Sequence, residues 1–144
     1  MKWIDTLIKL RKESVDAFEK ELMKVQSIYN AEEKKMQLLQ EQLRGIKMPQ
    51  ASSGARLKQF SLQRNYANQA IKEQNILLEN ISEHLQSVRE SLLEANKELE
   101  QAKFIKADYV KKELYKAKQK EQKMLDELAS QKFYLNQQVA AIDV

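Results

Sequence analysis

Apolar residues recur along this chain at alternating steps of three and four. From the start they run Ile4, Ile8, Arg11, Val15, Phe18, Leu22, Val25, Tyr29, Glu32, Met36, Leu39, Leu43 and Ile46, with only Arg11 and Glu32 polar. A heptad seam held this long predicts a left-handed supercoil with a partner helix rather than a helix lying on a globular core. The pattern breaks between Gly45 and Gly54, a stretch that holds both glycines and the only proline, Pro49. Gly45 is placed to take a left-handed cap, Pro49 pushes Met48 out of the α region, and Ser52 or Ser53 can cap a new helix. A second seam follows through Leu57, Phe60, Arg64, Ala67, Ile71, Gln74, Leu78, Ile81, Leu85, Val88, Leu92, Ala95 and Leu99. The expected fold is all-α, an antiparallel two-helix coiled-coil hairpin with a longer second helix. It forms a single coiled-coil domain with helices over about 5–44 and 54–141 and a turn at 45–53. Asp5 or Thr6 is the candidate cap of the first helix, which would be on the order of 60 Å long at 1.5 Å per residue.

Folding about the centre of the turn pairs seam positions whose numbers sum to 99 or 100, such as Leu22 with Leu78 and Val15 with Leu85. In that register Glu32 falls opposite Ala67 and Gln74 opposite Val25, and a slip of one heptad is the rival. The first helix then runs out near Leu99, while the seam continues through Ala102, Lys106, Val110, Leu114, Ala117, Glu121, Met124, Leu128, Gln131, Leu135 and Ile142. The eleven-residue step from Leu99 to Val110 reads as a stutter that locally unwinds the coil. The overhang beyond it carries apolar residues with no intrachain cover and is the site the residues themselves suggest. Each large apolar side chain in such a seam contributes roughly 1.5–3 kcal/mol when buried, and a lone helix is marginal in water.

Composition sharpens this picture more than it changes it. With 32% charged residues, 42% hydrophobic residues and only two glycines in 144 residues, the chain lacks the turns of a compact globular fold. The net charge of +4 conceals a local concentration, since eight lysines fall between Lys103 and Lys123 against Asp108, Glu113 and Glu121. Such a run is a solvated helix face or a surface for an acidic partner. Nucleic acid is not expected, because arginines are few and no aromatic platform interleaves with them. There is no cysteine, which suits a reducing compartment, and the opening residues do not read as a signal peptide or membrane span. No metal-ligand pattern and no phosphate loop occurs, and the one histidine, His84, falls on a flank of the seam. The carboxylates have no enclosing pocket to shift their pKa values, so no enzyme activity and no cofactor are expected. Trp3 reads as an apolar anchor of the seam, and Tyr109, Tyr115, Phe133 and Tyr134 as contact residues or ordinary helix positions.

At 94–102 and again at 121–131 the chain resembles the FliJ family of flagellar type III export proteins. The opening Leu10-Arg11-Lys12 segment, the small-residue break, and a long second helix ending in Lys123, Asp126 and Glu127 extend the likeness over nearly the whole chain. The resemblance implies a cytoplasmic stalk, similar to the gamma subunit of rotary ATPases, at the base of the export apparatus on the inner membrane. It implies three partners: a hexameric export ATPase, the cytoplasmic domain of the export gate, and export chaperones. The implied ATPase contacts are Leu7, Arg11, Lys12, Lys111, Lys112, Lys116, Lys120, Met124, Leu128 and Leu135. Those to the gate, near the turn, are Leu39, Leu43, Leu57, Phe60 and Tyr66. Virulence-type secretion stalks share this layout, and a general coiled-coil adaptor is the other alternative.

Overall fold

The computed structural model describes residues 2–50 and 53–142, with side chains as far as Ala141. Two helices account for nearly all of it, α1 (Lys2–Gly45) and α2 (Gly54–Ile142). The fold is an all-α hairpin with a longer second helix packed against the first.

The helix ends differ from the sequence expectation in how they are closed. Neither Asp5 nor Thr6 caps α1, which is already helical at Lys2, and the Thr6 hydroxyl donates back to the Lys2 carbonyl at 2.9 Å. Neither glycine has a positive φ, so Gly45 is not a left-handed cap. The last turn of α1 closes instead by the Ile46 N–H donating to the Leu43 carbonyl at 3.2 Å, the tighter i to i+3 bond that satisfies one terminal carbonyl. At the start of α2, Ser53 acts as the cap. Its Oγ accepts from the Arg56 N–H at 3.3 Å and its carbonyl from the Leu57 N–H at 3.2 Å. Ser52 lies outside the described residues.

The chain forms two compact units, the larger of which is the hairpin Lys9–Leu99. Its core is the pair of seams. Val15, Val25 and Met36 on α1 and Leu85, Val88, Ala95 and Leu99 on α2 are buried, and every other seam residue of this unit is half-buried except Arg64, which is exposed. The register, however, is one heptad away from the expected one. Gln74 Nε2 donates to both the carbonyl oxygen and the Oε2 of Glu32, each at 2.8 Å, so the level residues are those whose numbers sum to about 106 or 107. The expected neighbours of these two residues, Ala67 and Val25, are therefore not their partners. Two further cross-helix pairs lie close to the same alignment, Arg11 with Glu98 at 2.8 Å and His84 with Glu21 at 3.6 Å, and the Arg89 side chain reaches along the helices to Gln26 at 3.3 Å.

The physical reason is the cost of leaving polar seam residues unpaired. In the expected register Glu32 and Gln74 each face an apolar or small residue. Slipping by a heptad keeps every apolar layer, now Leu22 level with Leu85 and Val15 with Leu92, and brings the two polar residues together. A single polar layer of this kind selects among registers that apolar packing alone cannot distinguish. The slip leaves the first turns of α2 level with residues that follow α1 in the chain. The same alignment sets Ile46 level with Phe60 and Pro49 level with Leu57, and all four are half-buried.

The second unit comprises Met1–Ile8 and Glu100–Val144. Ile4 is fully buried and Ala102 nearly so, and Asp5 Oδ1 meets Lys106 Nζ at 2.6 Å. This corrects the extent of the overhang, since α2 is covered by the start of α1 as far as Lys106. From Tyr109 to Ala141 every α2 side chain is exposed. Trp3, expected in the seam, is 60% exposed, and Ile4 holds the seam position.

With no native cysteine to interfere, the pair Leu22→Cys and Leu85→Cys should close an intramolecular disulfide under mild oxidation, and Leu22→Cys with Leu78→Cys should not; non-reducing gels and peptide mapping read the result. The Glu32 carboxyl is held below its usual pKa, first by the Gln74 hydrogen bond and then by Lys35 at 3.1 Å. A depressed carboxylate stabilises the fold above its unfolded pKa and loses that contribution as pH falls through the folded value. Glu32→Gln should therefore show a smaller drop in melting temperature between neutral pH and pH 3 than the parent chain.

Candidate docking surfaces

In the unit built on Glu100–Val144, α2 beyond Tyr109 offers a single-helix surface. Eight residues at about 100° each place Val110 some 80° round the helix from Ala102, which is turned toward α1, so the next apolar stripe starts on a new side. That stripe runs through Val110, Leu114, Ala117, Met124, Leu125, Leu128, Leu135 and Val139, all exposed. Met124, Leu128 and Leu135 were identified from the sequence. Leu125 and Val139 were missed, because a strict heptad continued from Glu121 through Met124 and Gln131 steps past them. The four-residue step from Glu121 to Leu125 is the signal that finds them.

The lysines of this stretch divide into two kinds. Lys112 pairs with Asp108 at 3.1 Å, Lys116 with Glu113 at 3.9 Å and Lys103 with Glu100 at 3.5 Å, all along the helix. Exposed pairs of this type contribute a few tenths of a kcal/mol each to the helix, roughly. Lys111, Lys118, Lys120 and Lys123 form no ion pair among the described residues. Lys111 and Lys118 flank the apolar stripe on one side and Lys120 flanks it on the other, which leaves their charge available where a second surface would meet the stripe. In the same unit, Leu7 is half-buried at the start of α1. The Asp5 carboxyl lies below its ordinary pKa, chiefly through its hydrogen bond from Lys106.

In the hairpin unit, the sequence-identified residues near the turn fall into two groups. Leu39, Leu43, Leu57 and Phe60 are half-buried between the helices, whereas Tyr66 is 76% exposed. Leu62 lies one turn before Tyr66 on the same side of α2 and is exposed, as is Leu38 on α1; neither was singled out from the sequence. Arg11 is already engaged by Glu98 and is half-buried, while Lys12 is exposed. No group of acidic residues and histidine that could hold a metal occurs among the described residues. Nor is any described helix long and apolar enough to cross a membrane.

The family model of the flagellar FliJ protein matches residues 1–138. The chain belongs to the FliJ family. No curated protein and no solved structure matches it. The FliJ match takes in all of α1, α2 as far as Gln138 and all of the exposed α2 stripe except Val139, so the surface described above lies almost wholly within the family region. Membership makes this a flagellar export-related protein of a non-catalytic family.

Proposed function

We propose that this FliJ-family chain is a coiled-coil stalk of the flagellar export apparatus, working in the cytoplasm at its base. In this reading the exposed part of α2 enters a hexameric export ATPase and the turn end of the hairpin touches the cytoplasmic domain of the export gate. Export chaperones are handled by the same protein. The observation that carries the reading is the apolar stripe of α2 beyond Tyr109, which is helical, fully exposed and flanked by lysines without partners. A narrow single-helix surface of that kind suits insertion into a ring, whose inner wall covers it from several sides. Met124, Leu128 and Leu135 supply the apolar contact and Lys111, Lys112, Lys116 and Lys120 the charge, with Leu7, Arg11 and Lys12 contributing from the start of α1. At the gate end, Tyr66 projects outward, and Leu39, Leu43, Leu57 and Phe60 form the layers that hold it in place. The match to the flagellar family favours this over a virulence-type stalk.

Deleting residues 124–144 should leave the helicity of the hairpin unit intact by circular dichroism and abolish stimulation of the export ATPase. Reversing Lys111 and Lys120 to Glu should weaken stimulation most at low salt, because exposed charges are screened as ionic strength rises. Full stimulation by the truncated chain would instead assign the protein the role of a tether.

At the other end, Leu39→Ala with Phe60→Ala should weaken binding of the gate's cytoplasmic domain, read by calorimetry, while most helicity at 25 °C survives. The last layers of a coil are among the first to fray and carry little of its global stability.

A further inference from the structure

Along the uncovered stretch of α2, Leu114, Leu125, Leu128, Leu135 and Val139 are each 54–61% exposed and share one face of the helix. Two charged residues interrupt that face, Glu121 and Lys132. Both are exposed, and neither has an ion-pair partner within the chain among the described residues. We propose that this face pairs with the same face of a second copy of the chain, antiparallel, in the register where level residues have numbers summing to 252 or 253.

That register follows from charge complementarity. It sets Leu114 level with Val139, Ala117 with Leu135 and Leu125 with Leu128, each contact occurring twice by two-fold symmetry. It also sets Glu121 of one copy level with Lys132 of the other, so the two interruptions of the stripe neutralise one another. A slip of one heptad in one direction puts Glu121 against Val139 and Lys132 against Leu128. A slip in the other puts them against Leu125 and Leu114. A parallel, in-register pair is worse, since Glu121 would face Glu121 and Lys132 would face Lys132. Charged residues at seam positions select orientation and partner by this kind of exclusion. The extent of the pairing agrees as well. The symmetry axis falls at about residue 126, near the middle of the stretch Tyr109–Ala141 whose side chains are all exposed, so each copy covers the exposed stretch of the other.

The dimer does not depend on the stalk reading. It uses the same face and is therefore an alternative to ring engagement, with the ring ATPase competing against the second copy.

Sedimentation of the full-length chain between about 1 and 100 µM should show a concentration-dependent dimer. Glu121→Lys should raise its dissociation constant at least about tenfold by setting like charges level, and adding Lys132→Glu should restore it. In the cysteine-free background, the double variant Glu121→Cys with Lys132→Cys should cross-link between chains, and Glu121→Cys alone should not. A monomer throughout that range would overturn the proposal and leave the face to the ring alone. Efficient cross-linking of Glu121→Cys by itself would overturn it in favour of a parallel pair, and failure of the charge exchange to restore dimerisation would overturn the register.

Discussion

The hydrogen bonds from Gln74 to Glu32 decide how the two helices of the hairpin are aligned, and much else follows from that alignment. Apolar seams with a seven-residue repeat pack almost equally well when displaced by seven. What breaks the degeneracy is the single layer where both helices carry a polar residue. Joined, the two satisfy one another at 2.8 Å, and each apart would face an apolar or small neighbour. The cross-helix pairs His84 with Glu21 and Arg11 with Glu98 lie close to the alignment this layer imposes.

Two consequences appear at the ends of the helices. At the turn, Phe60 and Leu57 are level with Ile46 and Pro49, which lie beyond the end of α1, and all four are half-buried. At the start of α1, Ile4 is buried with Ala102 and Asp5 reaches Lys106, which consumes about one heptad of what would have been uncovered helix.

Much of this architecture was legible because heptad periodicity reports which side of a helix is buried. The seam residues from Ile4 to Ile46, and from Leu57 to Leu99 apart from Arg64, are those withdrawn from solvent. Register was not legible from periodicity, since a shift by one whole repeat leaves the pattern unchanged. Reading the polar exceptions Glu32 and Gln74 as a pair, rather than as separate tolerated defects, would have found it. The caps were misread for another reason. Asp5 and Thr6 have the chemistry of a cap, but α1 starts earlier, and the tertiary partner Lys106 claims the Asp5 carboxylate. For the docking surfaces, residue type and spacing picked out Met124, Leu128 and Leu135. Leu125 and Val139 fell outside because the helix changes phase near Glu121, and phase in an unpaired helix leaves no trace in a fixed heptad count.

The polar side of the exposed α2 stretch carries ion pairs of its own, Lys112 with Asp108 and Lys116 with Glu113, and hydrogen bonds from Gln119 to Tyr115 and from Gln122 to Asp126. None of these lies on the apolar stripe. Their effect is on the free protein, where they hold an otherwise marginal helix in the shape it needs and so reduce the ordering entropy that association must overcome. If this stripe docks a partner, residues on the far side of the helix shape the affinity through the order they impose beforehand, and a glycine placed there would loosen a complex whose contacts had all been left in place.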